Sequence, residues 1–254
     1  MIRKIISKLK RKAISEEKTV QQIFSHIGKQ VYTGPFAGLK IPPDLVSTMK
    51  LSEILGLYES CLHPVISSLI SRNIENIMVI GGHKGYYPAG LSNLLRPKNM
   101  FVYEMDEIYY PRIESWININ QLSPYIMGKE ATDDILENFS HPVDFLLIDC
   151  EGAEISLLQP ERFIWQQNSD ILVEIHHFYN HKILGDLISR FKNTHDMQII
   201  YDDINENNKI ENVMNGLGVN GSFRSQPYHR WIFDENRHKI ITAGIFLYLK
   251  KKTT

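Results

Sequence analysis

The residues Ile77-Met78-Val79-Ile80 read as a buried strand, and they run straight into Gly81-Gly82-His83-Lys84-Gly85-Tyr86-Tyr87. A helix follows, with Pro88 suited to its first turn, where a missing N–H costs nothing. Met100-Phe101-Val102-Tyr103 reads as the next strand and ends on Glu104, nineteen residues after Gly85. A strand, a glycine turn, a helix and an acid at the tip of the next strand make a nucleoside-binding half-site. The glycines let the backbone pass close to a ligand, and the acid can accept both hydrogens of a ribose diol. The competing reading is a tight turn that uses glycine for steric reasons alone.

The alternation continues. Further strands are expected at Tyr125–Met127, Val143–Asp149, Ile171–His176 and Met197–Asp202, with a last one at Ile245–Leu249. Helices are expected at Pro88–Leu95, Ile108–Asn118, Asp133–Phe139, a short turn after Gly152, and His181–Phe191. Such alternation predicts a parallel sheet with helices on both faces. Ahead of it, residues 1–71 form a basic and helical extension to the domain at 72–254. Gly34-Pro35, Gly38 and Pro42-Pro43 break its first part into loops. Leu51 to Ser71 carries apolar residues at helical spacing, with Pro64 expected to kink or divide it. The segment 205–242 is long for a loop and is expected to act as a lid insertion before the last strand.

The 254 residues are 43% hydrophobic and 22% charged, with a formal net charge of -1. One α/β domain with an extension fits that length. A neutral chain gives no electrostatic case for nucleic acid. The two cysteines, Cys61 and Cys150, have neither metal nor CxxC spacing, and a reducing cytoplasmic compartment is expected. No apolar run long enough to span a bilayer is expected, and no signal-peptide core. Residues 1–12 are strongly basic, with Ile2, Ile5, Ile6 and Leu9 on one helical face. That pattern can lie peripherally on an anionic inner membrane surface, or it can be a frayed terminus or a docked helix.

In open parallel sheets the ligand sits at the carboxyl ends of the strands. The fourth strand runs Asp144-Phe145-Leu146-Leu147-Ile148-Asp149 into Cys150-Glu151-Gly152-Ala153-Glu154. Three acids in so short a turn should face a cleft, a cation or a ligand. Glu151 and Glu154 can alternatively cap the next helix. On the fifth strand, alternation places Glu174 and His176 on one face. Asp149, Glu174 and His176 can then converge as a general base or a divalent metal site, with Asp149 and Glu174 as its ligands.

These residues resemble a family. Asp144 to Glu154 is similar to the "DFLKIDVEGAE" segment of FkbM-type class I S-adenosylmethionine-dependent methyltransferases, Ile80 to Tyr87 to their "IGANIGYY" loop, and Val102 to Asp106 to their "VYAFEPD". In one branch, Gly34 to Lys40 resembles "GPFKGMK" and Gly56 to Pro64 resembles "GTYEKELHP". The resemblance runs from about Gly34 to Trp231. It implies a Rossmann-like α/β class I methyltransferase fold: a seven-stranded, mostly parallel sheet with an antiparallel last strand, plus the N-terminal helical extension. It implies that Gly81, Gly82 and Gly85 border the methionine part of S-adenosyl-L-methionine. Glu104 would hold its ribose, Glu130 and Ala131 would lie near its adenine, and Asp149 near its reactive methyl. The family pattern has an acid where Val79 stands, and Lys84 adds a positive charge to the loop.

Methyl transfer from a sulfonium to oxygen is an in-line displacement, so the protein mainly aligns the partners and excludes water. A hydroxyl acceptor also needs its proton removed, with Asp149 or His176 as base, or a divalent metal such as Mg on Asp149 and Glu174 to lower its pKa. Glu151, Arg224, Tyr228, Arg230 and Trp231 are expected to bind the acceptor, a small molecule or glycan, because cationic forks and aromatic platforms suit a sugar. O-methylation of a sugar or glycan-related hydroxyl is what the resemblance implies. A non-catalytic binding module on a degenerate methyltransferase fold is the rival that Val79 and Lys84 favour. A nicotinamide-dependent oxidoreductase is a second rival, disfavoured by the glycine spacing.

Overall fold

The structure is a computed structural model that describes residues 17–123, 125–177, 180–202, 206–220, 230–233, 239–242 and 244–252. Nine strands are described: β1 Asn76–Ile80, β2 Asn99–Tyr103, β3 Ile126–Gly128, β4 Phe145–Ile148, β5 Asp170–Glu174, β6 His195–Tyr201, β7 Arg230–Phe233, β8 Lys239–Thr242 and β9 Ile245–Lys251. Seven of them form one sheet in the order β3-β2-β1-β4-β5-β9-β6. The strands β3 to β5 pair in parallel, whereas β9 runs antiparallel to both β5 and β6. The expected seven-stranded, mostly parallel sheet with an antiparallel last strand is therefore present.

Helix α1 spans 17–26, followed by α2 Leu51–Leu55, α3 His63–Ser68, α4 Tyr86–Leu95, α5 Tyr110–Asn120, α6 Asp133–Glu137, α7 Glu154–Leu157, α8 Ile183–Phe191 and α9 Glu206–Gly216. Strand alternation sorts the sheet residues into two cores. Ile77, Val79, Val102, Leu147 and Leu172 face α4, α5, α9 and the extension. Met78, Ile80, Phe101, Leu146, Ile148 and Val173 face α6, α7 and α8. Every residue of β1, β4 and β5 is buried, as strands covered on both faces require.

Several boundaries differ from expectation for local reasons. The break in Leu51–Ser71 falls at Gly56 and Glu59, both left-handed with φ of 72° and 45°, while Pro64 opens α3 instead of dividing a helix. The stretch has a mean hydropathy of 1.2, apolar enough by length and composition to cross a membrane. It is nevertheless cut into short pieces, and Ile54, Leu55, Leu62, Val65, Ile66 and Leu69 are buried in the core. Helix α4 begins two residues before Pro88, because left-handed Gly85 (φ 89°) serves as its N-cap. Strand β5 stops at Glu174, since its neighbour β9 begins at Ile245 and only the Ile175 N–H reaches it, at 2.8 Å. The described part of 205–242 is not loop alone. It carries α9, which buries Ile210 and Met214 one turn apart, and the antiparallel pair β7–β8.

Candidate active site

The β1 tip turns sharply because Gly81 is left-handed (φ 92°) and lies against the Asp149 carbonyl, where a Cβ would collide. Its N–H donates to the Tyr103 carbonyl at 2.9 Å, which ties the β1 and β2 ends together. Gly82 and Gly85 are needed for packing: a Cβ would stand 2.6 Å from Val102 Cγ1 and 2.9 Å from Trp116 Cδ1 respectively. Of the three loop glycines expected to border a cofactor, Gly81 lines the cavity beside the loop, and Gly82 and Gly85 hold the loop's shape from behind.

That cavity has a volume of ≈ 600 Å³ and opens at the carboxyl ends of β1, β2 and β4. Glu104, Glu130, Ala131, Asp149 and Glu151 line it, together with His83, Tyr109, Lys129 and residues of the α7 turn. Its size is in the range of small-molecule and cofactor sites. Glu104 Oε2 accepts the His83 N–H at 2.6 Å and Oε1 accepts the Asp106 N–H at 2.8 Å. These bonds fix the carboxylate, and its remaining lone pairs can still accept from a diol.

Val79 is fully buried between Val102 and Leu147, so the apolar side chain at this position belongs to the core. Lys84 does not line the cavity. Its Nζ donates to the Thr48 carbonyl of the extension at 2.7 Å, and its own carbonyl accepts the Trp116 indole N–H at 3.0 Å. The ammonium is thus turned toward the extension, although its charge still reaches His83 on the cavity wall.

Beyond the β4 tip, His176 Nε2 lies 3.5 Å from Asp149 Oδ1, 3.5 Å from Glu151 Oε2 and 3.9 Å from Glu174 Oε2. Its Nδ1 is hydrogen-bonded to Glu154, the wholly buried first residue of α7. Glu154 is thus more than a helix cap: it orients the ring, while also accepting the Gly152 N–H at 3.1 Å. Burial works against the charged imidazole, but the Glu154 hydrogen bond and the charges of Glu154, Asp149 and Glu151 outweigh it and raise the pKa above the usual histidine range. A histidine so held favours its proton and is a poor base; Asp149, with its side chain 36% exposed and lining the cavity, is the more accessible acceptor. The group able to surround a divalent cation is Asp149, Glu151 and His176, whose ligand atoms lie within 4.8 Å of one another. Of the expected pair Asp149 and Glu174, Asp149 lines both cavities, whereas Glu174 is buried and lines the small one.

The residue that sequence reasoning missed is Glu59. It is buried, in left-handed backbone, and its carboxylate accepts from the Tyr87 hydroxyl of α4. Burial first, and then the Asp149 charge, push its carboxyl up to about 7, against the hydrogen bonds from Tyr87 and Tyr58. Glu59, Tyr87, Asp149 and Glu174 line a second, small cavity that Asp149 shares with the large one. The available signal was an acid placed beside the break in an otherwise apolar helical stretch. Of the expected acceptor-binding residues, Glu151 borders the large cavity; Arg224 and Tyr228 fall outside the described residues, and Arg230 and Trp231 are described only as part of β7.

With this geometry, residues 78–202 match the methyltransferase FkbM domain. This segment of the chain is an FkbM methyltransferase domain. Among solved structures, the chain is similar to an rRNA methylase from Streptococcus thermophilus at 11% identity, covering 76% of this chain and 96% of that one, with a TM-score of 0.50. The O-methyltransferase TomG from Streptomyces achromogenes, in complex with SAM, aligns at 13% identity over 74% of this chain and 78% of that one, with a TM-score of 0.45. No curated protein matches the sequence. The likeness to the rRNA methylase is one of fold. Gly81, Glu104, Glu130, Ala131 and Asp149, the residues expected at the cofactor, all line the large cavity.

Proposed function

We propose that this S-adenosylmethionine-dependent methyltransferase moves the methyl group to a hydroxyl of a sugar or glycan-related acceptor. The observation that carries the cofactor side is the cavity whose walls set Glu104, beside the glycine loop, apart from Asp149 at the β4 tip. S-adenosyl-L-methionine supplies an already activated methyl when bound. Asp149 then takes the acceptor's proton, and His176, held by Glu154, keeps the Asp149 carboxylate in place. Glu151, 74% exposed at the cavity mouth, faces the acceptor. A divalent cation among Asp149, Glu151 and His176 would act instead on the hydroxyl's pKa. The sugar class is supported by the composition of 224–231, which sets arginines beside aromatic residues. The basic residues 1–12 support cytoplasmic placement with peripheral contact at the inner membrane surface.

The test is transfer of a labelled methyl from S-adenosylmethionine to a panel of mono- and oligosaccharides, with and without chelator, alongside calorimetry with S-adenosylhomocysteine. Binding of S-adenosylhomocysteine with labelled sugar product supports the reading. Binding with product on another class of acceptor overturns the sugar, and absence of binding overturns the cofactor site. Loss of transfer in chelator would assign the cation.

A further inference from the structure

We propose that Glu59 anchors the ammonium group of the cofactor's methionine end, a role the extension performs in place of the β1 tip. The inference rests on the cofactor reading above. S-adenosylmethionine brings a primary ammonium to the site, and an ammonium taken out of water needs a carboxylate close by. The β1 tip provides none, since Val79 is enclosed between Val102 and Leu147. Glu59 reaches the top of that same core face, where it shares the small cavity with Leu147, Leu172 and Asp149. Asp149 is the wall between this cavity and the large one. An adenosyl group in the large cavity with its sulfur at Asp149 would therefore lead its methionine end toward Glu59.

Size and charge agree. The small cavity, ≈ 10 Å³, has room for a group about the size of one water, which an ammonium is and a sugar ring is not. The charges acting on Glu59, those of Asp149 and Asp202, are both negative, and its hydrogen-bond partners Tyr87 and Tyr58 are neutral. Among the described residues, no lysine or arginine is one of the groups acting on Glu59. A buried carboxylate faced by other acids gains from a cation, and the ligand brings one.

Two ligands that differ in the methionine end separate this role from a structural one. S-adenosylhomocysteine carries the ammonium; 5′-methylthioadenosine keeps the adenosyl thioether and lacks it. By calorimetry on the full chain, the wild type should bind S-adenosylhomocysteine at least tenfold more tightly than methylthioadenosine. Glu59→Gln should lose most of that margin while binding methylthioadenosine as before, and Glu59→Asp, which keeps the charge on a shorter arm, should fall between. A Glu59→Gln protein that weakens on both ligands alike, or on neither, overturns the proposal. Should Glu59→Gln fail to fold, the wild type decides with the deaminated analogue of S-adenosylhomocysteine: a tenfold loss is expected, and undiminished binding overturns the anchor. A wild type that binds no adenosyl ligand at all would mark the failure of the cofactor reading, a different result from any of these.

Discussion

Glu206 heads α9 with its carboxyl buried, and desolvation, with smaller contributions from Asp202 and Glu53, pushes its pKa up to about 7 despite Ser52 and Lys50. A folded value above the ordinary 4.5 means that the protonated form is the one the fold accepts. Its stabilising contribution is complete below 4.5 and is lost as pH rises through about 7. Glu206→Gln cannot ionise, so denaturant unfolding should find it level with the wild type near pH 5 and more stable by about 1–3 kcal/mol at pH 8. Glu104 predicts the opposite kind of change, one of function. Removing its carboxylate in Glu104→Ala should weaken S-adenosylhomocysteine at least ~10-fold in calorimetry, since charged hydrogen bonds are worth about 1.5–3 kcal/mol. Glu104, Asp149 and His176 were legible as single residues because each follows within two residues of a strand's carboxyl end, at the ligand end of the sheet. Glu154 was harder to read: a carboxylate in the first turn of a helix looks like a cap, and its bond to His176 depends on the start of α7 meeting the residues after β5 in space.

Among the elements, the sheet was the most legible part, because strands buried on both faces must be written as unbroken apolar runs. Helix α9 was not, since Glu206-Asn207-Asn208-Lys209 hides its two buried positions, Ile210 and Met214, in polar sequence. Its stability comes from docking on α2 and the core beneath. Met214→Ala should therefore cost about 2–4 kcal/mol in denaturant unfolding, far more than an exposed helix position would. The turn after β1 is under a stricter constraint. Gly81→Ala places a methyl on the Asp149 carbonyl in a left-handed backbone, and should cost stability and abolish adenosyl binding together, as thermal melts with and without S-adenosylhomocysteine would register.

For the molecule as a whole, the extension and the sheet are separate in sequence but continuous in packing. Ile23, Phe24, Val31, Leu39, Ile41 and Ile54 belong to the same core as Val79 and Leu147. Arg72 adds a polar tie at the junction, pairing with the fully buried Asp170 carboxylate, which also accepts from the Tyr248 hydroxyl at 2.8 Å. Arg72→Met leaves that charge without its partner and should lower stability by about 3–5 kcal/mol in equilibrium unfolding. The sequence break near residue 71 marks a change of topology, from irregular short helices to alternation, and periodicity can register that change. It cannot register which apolar faces meet, so the burial of Glu59 beside Asp149 became visible only in three dimensions.

The position of β9 between β5 and β6 has a consequence for biosynthesis. Of the nine described strands, the last to leave the ribosome is the one that joins β6 to the rest of the sheet. Until Ile245–Lys251 emerges, β6 has no strand beside it and β5 keeps an open edge, so the nascent sheet can be no more than the block β3-β2-β1-β4-β5. A message cut short before the codon for Ile245 would release a chain in which the β5 and β6 edges that β9 covers stay open, a form prone to pair with its own copies and a natural target for chaperones and proteases.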